Sequence, residues 1–437
     1  MSNLSRIKIL YTLMIIILAT VGVFQSWNLA LTIFNLCLIS SIMTLGINIQ
    51  WGNAGIVNFG VMGFAALGGL ANIIISMPPT LNAWDTGGEI IIIGIIIFIS
   101  SIIFSIILFK KTNFNKNIKY LISFIFIIIG YFMMRFLVDI PIEKIESIEP
   151  AKTGYLGGFN LPVLISWPVG GLLAAFSAFI IGKISLGLRS DYLAIATLGI
   201  SEIIIYILKN EDWLSRGVKN VNGLPRPVPY EIELQSKEWV LKASNYLDIP
   251  ITELSSIIVK LSYSILFCMV LLIILFLLEV AVKSPWGRMM RAIRDNEVSA
   301  NAMGKDIKKR HLQVFMIGSA IIGIAGAMLT TLDGQFTPVS YQPLRFTFLV
   351  WIMVIIGGSG NNFGAIIGGF VIWFFWIQSE PIGLWLISFV TSQISDTNII
   401  KEHLLENAAH MRLMFMGIIL LVTLRFAPKG LVPEEKR

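Results

Sequence analysis

Cysteine is nearly absent from the 437 residues: Cys37 and Cys268 stand apart, each inside an apolar run. That excludes a disulfide framework and any cysteine-based metal or redox motif. Histidine is almost as scarce. His311, His403 and His410 are dispersed, and the last two share a possible helix face with no third ligand, so no metal site is read. No G-x-x-x-x-G-K-[ST] phosphate loop occurs, so any ATP that drives this protein is hydrolysed on another chain. No serine or cysteine has a base and an orienting acid nearby in sequence, and no polar segment is long enough for a catalytic domain. The reading is a non-enzyme that holds no cofactor. Charge is sparse too, at 14% of residues. Hydrophobic residues make up 56% and mean hydropathy is +0.80. A soluble chain of this length cannot cover so much apolar surface, so the composition is that of an integral membrane protein in a lipid bilayer. The net charge of +7 then speaks to membrane orientation, not to nucleic acid.

What the chain does have is long apolar runs, at 9–27, 29–50, 54–77, 89–109, 118–138, 161–182, 191–209, 256–282, 311–332, 346–378 and 411–427. A spanning helix needs about 20 residues, so the expected fold is all-α and polytopic, a single membrane domain over 1–437 with about ten crossings. Arg6 and Lys8 precede the first run, which reads as an uncleaved span. The 346–378 run is interrupted by Gly357-Gly358-Ser359-Gly360-Asn361-Asn362-Phe363-Gly364. It reads as two short helices around a bend that re-enter rather than cross.

Loop charge alternates. Lys110, Lys111, Lys116 and Lys119 share one loop, Lys183 and Arg189 another, Lys283–Arg310 a third, and the tail carries Arg425, Lys429, Lys436 and Arg437. The intervening loops are acidic, neutral or, as in 210–254, mixed. The positive-inside rule places both termini and the 283–310 loop in the cytoplasm. The 210–254 segment, with Asn222-Gly223 and the closely spaced prolines Pro225, Pro227 and Pro229, reads as an ordered outer loop. Thr391–His410 reads as a short helix on the outer interface.

Two segments break the helical pattern. Trp51–Gly60 interrupts the first half and the Gly357–Gly364 run the second, and paired Gly/Asn breaks are the sequence signature of inverted repeats around a transport path. The substrate-path candidates are therefore Asn48, Gln50, Asn53 and Asn58 at one break and Gly357, Gly358 and Gly360 at the other. The amides suit a neutral or zwitterionic polar solute, and they equally suit gluing helices together. Glu202 joins them because it sits mid-span in the 191–209 run, where a carboxyl group faces a cavity or partner, or else a structural hydrogen bond.

The 283–310 loop organises the rest. It carries eight Lys/Arg against three Asp/Glu. Ser284-Pro285 predicts a capped helix start. Met289, Ala292, Ile293, Asn296, Ser299, Ala300 and Met303 recur at helical spacing on one face, with Arg288, Arg291 and Arg294 off it. Gly304 suits the left-handed turn that ends a helix. The expectation is one amphipathic helix, Pro285–Met303, with something to dock into.

Several linked motifs, taken in order, resemble the M-type permease subunit of Liv-family branched-chain amino acid ABC importers over nearly the whole chain. They are Leu45–Gly55 with Asn58-Phe59-Gly60, Leu188–Leu198 followed by Glu202, Asn222-Gly223-Leu224, Gly287-Arg288 through Gly304, Gly357–Gly360, and Arg425–Leu431. The resemblance implies a transmembrane permease domain with two separate ATPase subunits, a second homologous permease and a periplasmic solute-binding protein, in a bacterial inner membrane. It implies that 283–310 is an EAA-type coupling loop with Glu297, Ala300 and Gly304 at the matching positions. Its arginines, Arg288, Arg291 and Arg294, would meet acidic groups on an ATPase. Three departures are visible: Val61-Met62 where many members have His, Ser190 where Gly is usual, and extra length across 110–155. Permeases for urea, short amides or other amino acids are closely similar, so the solute stays open. From the residues alone, a gradient-driven transporter or channel is the alternative of a different class.

Overall fold

The computed structural model describes residues 3–111, 115–149, 154–391 and 399–434. Lys436 and Arg437, and residues 392–398 of the 391–410 segment, lie outside the described residues. The chain opens with α1 (Asn3–Phe24), α2 (Trp27–Ile47) and α3 (Val61–Ser76). The short α4 (Leu81–Ala83) leads into a hairpin of α5 (Glu89–Lys111) and α6 (Lys116–Ser147). Next come α7 (Val163–Ser185) and α8 (Ser190–Asn210), then the small helices α9 (Asp212–Ser215), α10 (Glu231–Gln235) and α11 (Glu238–Leu247). Helix α12 (Ile251–Lys283) descends to the basic loop, which holds α13 (Pro285–Asp295) and α14 (Glu297–Ala302). The remainder is α15 (Ile307–Asp333), α16 (Pro343–Gly357), α17 (Asn362–Val390), α18 (Ile399–Glu406) and α19 (Met411–Phe426). The fold is all-α and polytopic. Among the described residues, nine helices are long and apolar enough to cross a membrane, and α3 and α16 are shorter apolar helices.

Small residues decide which helices reach the centre. In lipid no hydrophobic force drives helix against helix, so close backbone approach carries the packing. α15 supplies Gly318, Gly323 and Gly326, and it packs against α2, α3 and α7. A Cβ on Gly326 would strike the carbonyl oxygen of Ala65, and one on Gly46 would lie 2.7 Å from that of Gly318. α2 and α17 run antiparallel with hydroxyl rungs between them. Ser41 Oγ donates to Ile366 O at 3.2 Å and Thr44 Oγ1 to Ala365 O at 3.0 Å. The α5–α6 hairpin sits at the edge with a small core of its own, built on Ile91, Val138, Ile142 and Ile145. The extra length noted across 110–155 falls in its second arm.

The basic loop defines one end of the bundle. α12 enters it and α15 leaves it, so the 210–254 segment lies at the far end, where Val221-Asn222 pairs with Phe336-Gln335 in a two-residue antiparallel ladder. The start of α1 and the tail gather at the loop end, since Leu4, Ile7 and Glu434 share a cleft with Arg291. The 346–378 run is broken as expected, but its second arm is not short. α17 runs for 29 residues and is long enough to cross, because Gly368 and Gly369 let α16 and α2 close on it and support its continuation.

Candidate functional site

At the first break, α2 continues as a single π-helical turn, Asn48–Gly52, before the backbone reverses at Gly55, whose φ is +73°. Buried amides hold the reversal in place. Gln50 Nε2 donates to Phe315 O at 2.9 Å, Asn58 Nδ2 donates to Gln50 Oε1 at 2.9 Å, and Gly60 N donates to Asn58 Oδ1 at 2.8 Å. Asn53 Nδ2 donates to Asn48 O at 3.2 Å. From the other side, α8 presents two hydroxyls: Phe59 N donates to Thr197 Oγ1 at 2.9 Å and Gly63 N to Ser201 Oγ at 2.7 Å.

At the second break, α16 ends at Gly357, and Gly358 and Gly360 take φ of +113° and +84°, conformations that favour glycine. Asn361 caps α17, accepting from Phe363 N at 3.0 Å and Gly364 N at 3.2 Å. The last turn of α16 leaves carbonyls without helical partners. The tail supplies them: Leu431 N donates to Ile356 O at 2.8 Å and Val432 N to Gly357 O at 3.0 Å.

The two breaks meet. Asn48 Nδ2 donates to Asn362 Oδ1 at 2.9 Å and Gly360 N donates to Asn48 Oδ1 at 2.8 Å. Asn362 Nδ2 in turn donates to Glu279 Oε1 on α12 at 2.9 Å. α2 and α16 both descend to the loop end, so the paired breaks lie side by side at one end. An inverted pair would sit at opposite ends. The structure therefore brings together Asn48, Gln50, Asn53, Asn58, Gly357, Gly358 and Gly360. It leaves Glu202 apart, on an exposed face of α8 with Tyr192, Ile195, Gly199 and Tyr206.

Arg294 ties the basic loop to both breaks. Its Nη1 donates to the carbonyl oxygen of Gly52 and to Glu434 Oε1, the latter at 3.1 Å, and its Nε to Asp295 Oδ1 at 3.0 Å. Burial alone would lower its pKa, but the bonds and charges of Glu434 and Asp295 outweigh burial and hold it above the ordinary arginine value. Glu434 packs against Gly360, where a Cβ would lie 2.8 Å from its carboxyl carbon. A groove of about 1040 Å³ opens beside this node, lined by Lys283, Arg288, Arg291, Arg294 and Lys429 against Asp295 and Glu434.

The loop differs from its expected form in four ways. It is two helices, not one, because Asn296 adopts extended backbone (φ −154°) and its side chain caps α14, accepting from Ser299 N at 2.9 Å. Ser284 does not cap α13. Its hydroxyl donates to Ala281 O at 2.7 Å, the local bond with which serine competes against capping. The buried face is Gly287, Met290 and Ile293, with Arg294 half-buried beside it, while Ala292 and Ser299 are exposed. Arg294 is thus bound within the chain rather than free for a partner, whereas Arg288 is exposed and Arg291 half-buried. Ala300 is buried, Glu297 is exposed, and Gly304 does make the left-handed turn, at φ +74°.

The family described as branched-chain amino acid transport system / permease component matches residues 29–424. The chain belongs to this family. It is a multi-pass transport permease of the membrane. The chain is 24% identical over 273 residues to the high-affinity branched-chain amino acid transport system permease protein LivM of Escherichia coli (strain K12), covering 62% of this chain and 57% of that protein. It is 27% identical over 271 residues to the probable LivM permease of Methanocaldococcus jannaschii, covering 60% and 67%. It is also 28% identical over 103 residues to the probable LivH permease of the same organism, covering 24% and 32%. The match thus spans little more than half the length of the Escherichia coli relative. No solved structure matches the chain. Both breaks and the basic loop fall inside the stretch that defines the permease family, and the tail strap from Ala427 to Glu434 lies just beyond it.

Sequence reasoning about this permease missed Glu279, Asn361, Asn362 and Glu434. Glu279 could have been found, because a carboxyl group inside a 33-residue apolar helix calls for a partner. Glu434 could not, since nothing in the composition of the tail says that it folds back.

Proposed function

We propose that this chain is one permease half of an ATP-driven importer for branched-chain or related amino acids in a bacterial inner membrane. Two separate ATPase subunits, a second homologous permease and a periplasmic solute-binding protein complete it. The basic-loop end, with both termini, faces the cytoplasm, in keeping with the positive-inside rule. The observation that carries the reading is the Arg294 node. A loop helix whose guanidinium grips Gly52 directly and Gly360 through Glu434 can pull on both broken spans at once. Closure of the ATPases moves α13 and α14 through their exposed side, at Arg288, Glu297, Val298 and Met303. The node passes that motion to the two breaks. Solute moves between this permease and its partner along the exposed stripe of α8 that carries Glu202. Arg291, Ala300 and Gly304 set the shape of the docking element.

Reconstitution tests the reading. Proteoliposomes holding both permeases and the ATPases, with the binding protein and ATP supplied, accumulate labelled leucine, and vanadate stops the uptake. Flux driven by an ion gradient through this chain alone would overturn it. Competition by urea, short amides and other amino acids then fixes the solute.

A further inference from the structure

A second cavity, of about 310 Å³, lies toward the far end of the bundle between α2, α15, α16 and α17. It is away from the Arg294 node, and its size is at the low end for ligand sites, so its occupant is small. Met43, Met62 and Met353 line it on the side nearer the breaks, and Leu349 and Val350 are part of its apolar wall. Asp333 is the one charged side chain among the described residues that line it. Asp333 is exposed at the cavity's mouth, and among the described residues nothing hydrogen-bonds or ion-pairs with its carboxyl group. Arg226, which lies against the neighbouring Gly334, is already paired with Glu231 at 3.1 Å. The wall also holds spare hydrogen-bonding capacity, because the buried Thr337 hydroxyl and Trp373 indole N–H have no partner.

We propose that this cavity is a binding site inside the single subunit for a small ligand with a cationic head and a branched aliphatic tail. Asp333 takes the head and the Leu349–Val350 wall takes the tail. An unpaired carboxylate beside an apolar cavity selects a cation that brings its own apolar body, since a hydrated inorganic ion gains nothing from such walls. Polarizable methionines suit a floor that must yield to more than one tail shape. An aliphatic amino acid is the natural ligand of this kind, a choice that rests on the transport reading above, whereas the head-and-tail selectivity does not.

The test uses the purified full chain in lipid nanodiscs with no binding protein, and calorimetric titration. L-leucine and 3-methylbutylamine bind, and 4-methylpentanoate, which keeps the tail and lacks the ammonium, does not. Asp333→Asn weakens both bound ligands by about tenfold to a hundredfold, the usual worth of a hydrogen bond to a charged group. Leu349→Trp, which fills the tail wall, abolishes binding, and Lys242→Gln, on the exposed side of α11, leaves it unchanged. Equal binding of the amine and the acid, unchanged affinity in Asp333→Asn, or no binding by the wild-type chain overturns the site. If Asp333→Asn fails to fold, the amine-against-acid comparison on wild type decides alone. Asp333-dependent binding of the amine without leucine keeps the site and overturns the amino acid reading instead.

Discussion

The guanidinium of Arg294 donates to the carbonyl oxygen of Gly52, 242 residues earlier in the chain. That carbonyl closes the π-helical turn of the first break, and the same nitrogen reaches Glu434 in the tail strap. One side chain therefore joins the loop, the first break and the segment that completes the second. A point charge on a flexible stem could satisfy one of these acceptors. A planar guanidinium with fixed donors can satisfy several at once.

Arg294→Met keeps the stem and removes the donors. It leaves a carbonyl and a carboxylate without their partner, at a cost of about 1.5–3 kcal/mol in stability. The expected outcome is a folded complex that still hydrolyses ATP while leucine uptake falls by about tenfold or more, the signature of lost transmission. Arg294→Lys should restore only part of the uptake. Parallel ATPase and uptake assays check this, and wild-type uptake in Arg294→Met would remove Arg294 from the coupling path.

Gly360→Ala separates strain from collision. At φ +84° a side chain costs about 1–2 kcal/mol in backbone conformation. Its Cβ would also sit 2.8 Å from the Glu434 carboxyl carbon and displace that group from Arg294. Gly360→Ala should lower the melting temperature and impair uptake. Gly360→Ala combined with Glu434→Ala should recover no uptake, because the link to Arg294 is then gone. A double-mutant cycle on melting temperature measures how far the two sites are coupled.

The helical class, the two breaks and the end of the loop at Gly304 were legible because each rests on local chemistry: apolar run length, amide-glycine clusters, and a residue that tolerates positive φ. What escaped depends on contacts far apart in sequence. The direction of Arg294 could not be read from a helical wheel, because the loop breaks at Asn296 and its buried side is Gly287, Met290 and Ile293. Nor could the wheel show that Arg294 would find Gly52 and Glu434. The amides at Asn48, Gln50 and Asn58 were read both as solute ligands and as glue. Their hydrogen bonds go to one another and to the backbone, which is how glue behaves.

Glu297→Arg tests the exposed side of the loop. Glu297 opens α14, so the reversal loses a favourable interaction with the helix N-terminus worth about 0.3–1 kcal/mol, too little to unfold the chain. Uptake should nevertheless be lost, with the permease still purifying as a single species. Gly304→Val should act through the backbone alone, since a Cβ there meets nothing within 4 Å yet φ is +74°. Its expected signature is loss of ATPase association without a change in the membrane-embedded core, read by co-purification and by hydrogen exchange.

Gly199→Leu asks what covers the exposed face of α8. A Cβ at Gly199 meets nothing within 4 Å, and Tyr192, Ile195, Glu202 and Tyr206 are exposed on the same side. Within the isolated chain the substitution is therefore expected to be neutral or slightly stabilising, since it replaces a poor helix former. If a second permease packs here, a leucine fills the space needed for close approach, and the assembled complex should be recovered in much lower yield. Glu202→Gln keeps the shape and removes the charge, so it should leave assembly intact and reduce uptake if the carboxylate faces the path. Recovery of the full complex with Gly199→Leu, together with normal uptake in Glu202→Gln, would mean that this face meets only lipid. The path would then have to lie on another side of the subunit.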